Sequence, residues 1–253
     1  MRSKNTQLKL TLLFLTFLSL GLSQTIFAQK TAFKPAIKYW EQQSDSAKLH
    51  FFHETESDLF EEELPLQIML VRHGKPELSR EGWFTRKEAK AFIRAYDSVG
   101  IYHYEGSPLT LEPNDVERFY TSKLRRAIHT AGLISEEKVP LIQNELFNEF
   151  QRKIISFPNI KMPLGFWLVC SRGFWVMGLN KKGIESFKEA KKRARVGAET
   201  LEGYAISEKK TILVAHGFLN KYLRKYLKKR GWVLIKTGGQ KHLGVSLLAK
   251  KEE

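Results

Sequence analysis

The sequence predicts an α/β domain built on a mostly parallel sheet, and three observations carry that expectation. Two short, nearly continuous apolar runs, Gln67-Ile68-Met69-Leu70-Val71 and Thr211-Ile212-Leu213-Val214-Ala215, have the texture of strands buried on both faces. The segments after each run place apolar side chains at helical spacing. The two patterns alternate along the chain, as they do where strands are joined through helical crossovers.

In chain order, the first segment is read as a secretory signal peptide over residues 1–28. Arg2, Lys4 and Lys9 form a positive start, an apolar stretch runs from Leu10 to Leu22, and Ala28 is the small residue before the expected cut. Thr11, Thr16, Ser19 and Gly21 dilute the apolar run, which weakens it as a permanent membrane span. The expectation is an exported protein, periplasmic or secreted, with no stable span after cleavage. Residues 29–64 are mixed in character, end in Glu61-Glu62-Glu63, and read as a preamble with one helix ahead of a domain over 65–253.

From Leu66 the pattern sharpens. After the first strand, Thr85-Arg86-Lys87-Glu88 is a capping box, with Ala89, Phe92, Ile93 and Tyr96 at helical spacing behind it and Gly100 beyond the end. Arg118-Phe119-Tyr120-Thr121 reads as a second strand, followed by a helix with Leu124, Ala127, Ile128 and Ala131 on one face. Val139 to Leu146 reads as a third strand. Residues 181–206 read as a long amphipathic helix, with Ile184, Phe187, Ala190, Ala194, Ala198, Leu201 and Ala205 roughly in line. A helix from about Leu219 to Leu227 stops at Gly231, and Val245 to Ala249 closes the sheet.

Composition limits the function classes. Net charge is +15, of which three charges lie in the N-terminal segment, leaving +12 on the mature chain. Most of this charge sits on helical segments such as Lys188 to Arg195 and Lys221 to Lys229, the pattern of solvated helix faces rather than of a nucleic-acid-binding module. A basic surface does draw anionic partners. Cys170, alone of its kind and set in the apolar run Phe166-Trp167-Leu168-Val169, excludes an intramolecular disulfide and is expected to be a buried, inert thiol. His50 and His53 lack a further ligand cluster, so no metal site is expected.

The chemistry is concentrated where strands end. The first strand runs into Arg72-His73-Gly74 and the later one into His216-Gly217. Open α/β sheets bind ligands beyond the carboxyl ends of their strands, so both histidines are expected on one rim. The glycines allow a tight turn, and a helix start beyond each could offer N–H groups to an anion. Thr121-Ser122-Lys123-Leu124-Arg125-Arg126 also sits at a strand-to-helix passage and brings guanidiniums, the side chains best matched to phosphate oxygens. Spacing does not choose between Arg125 and Arg126.

Leu70-Val71-Arg72-His73-Gly74, Ser122-x-Leu124-x-Arg126-Ala127-x-x-Thr130-Ala131 and Leu213-Val214-Ala215-His216-Gly217 resemble, in order, the signature blocks of the histidine phosphatase (phosphoglycerate mutase-like) superfamily, in its smaller branch. Glu185-Ser186 with Arg193 resembles a helical segment common in that family. The resemblance implies a three-layer sandwich and a phosphomonoester hydrolase without cofactor or metal, acting on a phosphorylated small molecule. It implies His73 as a nucleophile that forms a phosphohistidine, Arg72 and Arg126 as clamps on the phosphoryl oxygens, and His216 as a donor to the same group. Gly74, Lys75 and Gly217 are expected at the substrate. The attacking histidine must be neutral, its second nitrogen donating to a backbone carbonyl. A glutamate after the third strand is expected as general acid. Glu145 and Glu149 both qualify, and Glu149, after Leu146-Phe147, is the better placed. Lys75-Pro76-Glu77 departs from the mutase pattern, which argues for hydrolysis over mutase activity. Two alternatives stand beside this reading: a phosphate-binding envelope protein without turnover, and a phosphatase of phosphorylated protein. The aromatic insert at 155–180, with Trp167 and Trp175, is either a lid over the pocket or ordinary packing.

Overall fold

The computed structural model describes residues 33–42, 51–60, 64–105 and 116–252. The proposed signal segment, His50 and the acidic run 61–63 lie outside the described residues.

Six strands form one sheet, flanked on both faces by helices. The strands are β1 (Leu66–Arg72), β3 (Phe119–Thr121), β4 (Leu141–Gln143), β6 (Lys210–Ala215), β7 (Val233–Thr237) and β8 (Val245–Lys250), in the order β4-β3-β6-β1-β8-β7. Pairings β4·β3, β3·β6 and β6·β1 are parallel, while β8 runs antiparallel to β1 and to β7. The sheet is thus mostly parallel, as expected. A separate ribbon pairs β2 (Trp83–Phe84) with β5 (Met162–Pro163).

Period-two alternation explains how a continuously apolar strand serves two cores. Met69, Val71, Ile212 and Val214 face one side, where they meet Ala127, Ala131 and Ile134 of α3 (Arg125–Ser135). Ile68, Leu70, Leu213 and Ala215 face the other, against Ala190, Ala194, Ala198 and Leu201 of α5 (Phe187–Glu208) and Leu219, Leu223 and Leu227 of α6 (Gly217–Lys229). The N-terminal part contributes to the first core. Phe33 precedes α1 (Lys34–Gln42), and it is fully buried there with Phe51 and Phe52. Gln67 accepts from Phe52 N–H (2.8 Å) and donates to Phe52 C=O (3.0 Å), tying that stretch to β1.

Helix α2 (Arg86–Ser98) begins at the expected capping box, with Thr85 and Glu88 reciprocally bonded. Several boundaries differ from expectation. The third strand is only Leu141–Gln143, because Asn144 breaks it by accepting Leu146 N–H and starting the 3₁₀ turn Glu145–Phe147. The long helix starts at Phe187, after Ser186 caps it with Glu189 in a second capping box, so 181–186 are not helical. No helix comes directly after Gly74. Pro76 lies in that stretch, and the chain stays irregular until β2. Strand β7 was not expected at all, because Val233-Leu234-Ile235 is short and lies directly against the preceding helix end.

Within the aromatic insert, α4 (Leu164–Val176) packs on α2, forming a third, smaller core with Trp167 buried in it. Trp167 donates to Phe84 C=O (2.7 Å) and Trp175 to Glu185 C=O (2.7 Å). Both tryptophans are packing residues, and the lid role does not fall to them. Cys170 is partly buried against the same cluster.

Candidate active site

Three neighbouring strands deliver the site from their carboxyl ends. β1 ends in Arg72-His73, β3 in Ser122 and β6 in His216, and the register sets Arg72 against Ala215 and Thr121 against Val214. Backbone bonds lock the junctions, with His73 N–H donating to Ala215 C=O (3.0 Å) and Ser122 N–H to Val214 C=O (3.4 Å).

His73 is 2 % exposed and lines a cavity of about 530 Å³. Its Nδ1 lies 2.7 Å from Gly74 C=O. A carbonyl only accepts, so Nδ1 carries the proton and Nε2 is left with a free lone pair. Burial, then the Arg126 charge, hold its pKa well below the usual histidine value, with Arg72 and His242 adding to the effect. The imidazole is thereby kept neutral, as an attacking nitrogen requires.

His216 is fully buried behind His73, the ring centroids 5.1 Å apart, and does not itself line the cavity. Its Nε2 meets Ser122 Oγ at 2.7 Å, whereas Nδ1 is buried without a partner. Its pKa is also pushed well down, first by burial, then by Arg126, His73 and Arg72.

Of the two adjacent arginines, Arg126 is the one that faces inward. It is 1 % exposed, lines the cavity, stacks 4.6 Å from the Tyr96 ring centroid, and donates to Tyr96 C=O (2.7 Å) and Asp97 (3.3 Å). Its Nε remains buried without a partner. Arg125 is exposed and reaches only His129 (3.4 Å). Arg72 lines the cavity too, held by a bond to Gln240 C=O, with its own Nε unpartnered. A Cβ at position 217 would sit 3.1 Å from Arg72 Nε and 3.2 Å from its Cδ, so glycine there is what lets the guanidinium lie over the start of α6.

The other expected substrate contacts do not line the cavity. Gly74 N–H is taken by Thr130 Oγ1 (2.9 Å), and Lys75 is exposed with Nζ 5.2 Å from the Tyr102 ring centroid. The N–H groups that open α6 are not free for a ligand anion either. Glu149 takes them, accepting from Phe218 (3.4 Å) and Leu219 (3.2 Å) as well as from Phe150 (2.9 Å). Glu149 lines the cavity, and its loop is held by Arg193, which donates to Leu146 C=O (2.8 Å) and Asn148 C=O (2.7 Å) and pairs with Glu185 (2.6 Å). Glu145 touches the same cavity, but its side chain is 74 % exposed and pairs with Lys123 (3.4 Å).

Sequence reasoning passed over His242, Gln240, Tyr96, Arg152 and Arg172. His242 lies with its ring centroid 5.4 Å from that of His73 and its Nδ1 3.2 Å from His73 C=O. The antiparallel pairing of β8 on β1 brings it there, through Leu243 N–H to Arg72 C=O (3.1 Å) and Arg72 N–H to Gly244 C=O (3.0 Å). A positive φ of 59° at Leu243 was the local sign, and it is visible only in the structure. Among the described residues no group of three or more His, Cys, Asp or Glu side chains could hold a metal ion, and no helix is long and apolar enough to cross a membrane.

The two histidines titrate with a consequence for stability. In the unfolded chain each takes a proton near pH 6.5, while in the folded protein each stays neutral to a much lower pH. The unfolded state then binds more protons, so stability rises with pH through this window and is lost as pH falls below about 6.5. Denaturant titrations at pH 7 and pH 5 are expected to show a loss of up to about 1.4 kcal/mol per pH unit for each histidine. A His73→Gln variant with an unchanged pH slope would contradict this.

The carboxyl edge of the parallel strands thus sets one neutral imidazole and two inward guanidiniums on one cavity, with a second neutral imidazole behind the first, a set of groups suited to an anion such as a phosphoryl group. Residues 68–253 match the histidine phosphatase superfamily (branch 1), and the chain belongs to that family. A 2,3-bisphosphoglycerate-dependent phosphoglycerate mutase of Cytophaga hutchinsonii is 31 % identical over 85 residues, which are 32 % of this chain and 38 % of the mutase. The match thus spans about two fifths of the mutase. Among solved structures, a mycobacterial glucosyl-3-phosphoglycerate phosphatase is 16 % identical at a TM-score of 0.42, covering 72 % of this chain and 89 % of that one. A structure described as a putative alpha-ribazole-5'-P phosphatase from Escherichia coli is 15 % identical at a TM-score of 0.41, covering 64 % and 79 %. Family membership supports a phosphohydrolase or mutase activity.

Proposed function

We propose that the protein is an exported phosphomonoester hydrolase that works through a phosphohistidine on His73. The observation that carries this reading is the cavity-facing imidazole of His73, with its proton fixed on Nδ1 by Gly74 C=O and its neighbours Arg72 and Arg126 each holding a buried Nε without a partner. His73 Nε2 attacks phosphorus and the bond from phosphorus to the leaving oxygen breaks. Glu149, as the carboxylic acid, gives its proton to that oxygen. Water then attacks the phosphohistidine, Glu149 takes the water's proton, and inorganic phosphate leaves with Nε2 restored. Arg72 and Arg126 donate to the phosphoryl oxygens as charge shifts among them, the main source of catalysis in such transfers, while His216 stands behind His73 and holds its place through Ser122. The substrate is a phosphorylated small molecule, because the catalytic groups sit inside a walled cavity.

The choice of Glu149 is tested with leaving groups. Nitrophenolate departs with little help, whereas an alkoxide needs a proton. Glu149→Gln is expected to slow an alkyl phosphate by roughly 10²–10⁴-fold and nitrophenyl phosphate far less. Equal losses on both, or a selective loss in Glu145→Gln, would reassign the acid. Export rests on the positive and apolar pattern of residues 1–28. Mass spectrometry of the mature N-terminus decides it, and an intact Met1 in a cytosolic fraction would refute it.

A further inference from the structure

Helix α4 is apolar on the side it buries and also on the side it shows to solvent. At about 100° per residue, Leu164, Trp167, Leu168, Ser171 and Trp175 fall within one arc, and all five are buried. The opposite arc carries Phe166, Val169, Phe174 and Val176, with Gly165 and Gly173 between them and Met177 at the helix end, and all of these are exposed. Val169 is 72 % exposed. No charged side chain stands on this arc. Arg172, the one charged residue of the helix, lies at its border and lines the catalytic cavity. A surface helix sets polar residues on its outer face, and one that is apolar all round is normally covered on both sides.

The apolar surface continues past both ends of the helix. Leu179 is 70 % exposed beyond the turn at Gly178. Ahead of the helix Ile160 is exposed, and Trp83, 67 % exposed, pairs across the β2·β5 ribbon with Pro163, next to the first helical residue. Single exposed apolar side chains are ordinary, whereas a set gathered on one face marks a surface that meets a partner or another phase.

Charge says what lies opposite. From Phe150 to Ile184 the chain has no Asp or Glu, and Lys161, Lys181 and Lys182 stand exposed just before and just after the helix. Glu88 and Glu189, whose charges reach Lys161 and Lys181, are held in the capping boxes of α2 and α5. A second copy of the chain laid on this face would bring lysines against lysines or uncharged side chains, with no acid between 150 and 184 to answer them. An anionic lipid surface does answer them. It takes an apolar helix face into the boundary of its acyl chains, seats a tryptophan at the level of the headgroups, and lets lysines reach outward to the phosphates.

We propose that the outer face of α4 is a membrane-docking surface, by which the protein lies on a bilayer carrying anionic headgroups without spanning it. The proposal does not rest on the phosphatase reading, and its test reads binding rather than turnover.

Vesicle flotation tests it with the mature chain, which lacks the apolar segment 1–28 and contains all of the described fold. Partitioning onto phosphatidylcholine vesicles containing about one third phosphatidylglycerol is expected to exceed that onto pure phosphatidylcholine by roughly 10–100-fold, since each lysine near such a surface contributes about fivefold. Salt near about 1 M should remove most of the difference. Val169→Glu with Met177→Glu is expected to lower partitioning by about tenfold or more, with a thermal midpoint close to wild type because both side chains are exposed. Lys181→Gln with Lys182→Gln should lower it by roughly 10–30-fold on anionic vesicles and leave neutral ones unaffected. Val196→Glu with Ile206→Glu, which adds the same two charges at exposed apolar positions of α5, is expected to stay within about threefold of wild type. Partitioning that is equal on neutral and anionic vesicles, or that survives Val169→Glu with Met177→Glu, overturns the proposal. So does a wild-type dimer in sedimentation velocity that the same pair of substitutions dissociates while vesicles bind neither form, which would assign the face to a second copy.

Discussion

Replacing His73 with alanine is expected to lower turnover of nitrophenyl phosphate by roughly 10⁴–10⁶-fold, the loss seen when a covalent nucleophile is removed. The fold should survive. The side chain ties itself only to Gly74 C=O, while the backbone bonds of His73 to Ala215 and Leu243 do not depend on the imidazole. Unfolding curves and near-ultraviolet dichroism check this alongside the kinetics. Rapid acid-free quenching during turnover should trap an acid-labile phosphate on His73 of the wild type. Phosphate on another residue, or a His73→Ala variant within tenfold of wild type, would remove the mechanism.

Arg126→Ala is expected to cost roughly 2–4 kcal/mol of transition-state stabilisation, about 30- to 1,000-fold in kcat/KM, as for other donors preorganised on a developing charge. It should also lower stability, because a guanidinium only 1 % exposed leaves behind a cavity and the Tyr96 carbonyl without its donor. The two effects separate under saturating substrate well below the melting point. Arg126→Lys keeps the charge and loses the planar fork, so it should recover little of the rate. The exposed Arg125, replaced by alanine, should stay within about threefold of wild type. The reverse result would mean that the neighbouring guanidinium does the work.

These expectations draw on different depths of the sequence. His73 and His216 were legible because each ends a strand whose apolar run is unmistakable, Ile68 to Val71 and Ile212 to Ala215, and the carboxyl end of a strand puts its next residues on the rim. Arg126 needed more. Helical spacing puts Arg125 and Arg126 about 100° apart, and only the packing of α3 on the sheet shows which of them turns inward. The third strand was read too long because Leu146-Phe147 continues its apolar character. Asn144 had already redirected the backbone through a side-chain bond that hydropathy does not register. The reading of Gly74 and Lys75 as substrate contacts failed to anticipate that Thr130, from α3, would take the Gly74 N–H.

What the sequence determined by itself was whatever depends on local order: strand and helix alternation, the capping boxes at Thr85 and Ser186, and the strand-end histidines. What only the tertiary structure decided was which distant groups share a space. His242 reaches His73 because β8 pairs antiparallel with β1, and Arg172, carried on α4, lines the same cavity as His73. Glu149 lies at the start of α6, 69 residues away from Phe218 in the chain. Periodicity reports which way a side chain points relative to its own element. It carries no information on which other element will stand opposite, because that is settled by the burial of whole faces at once.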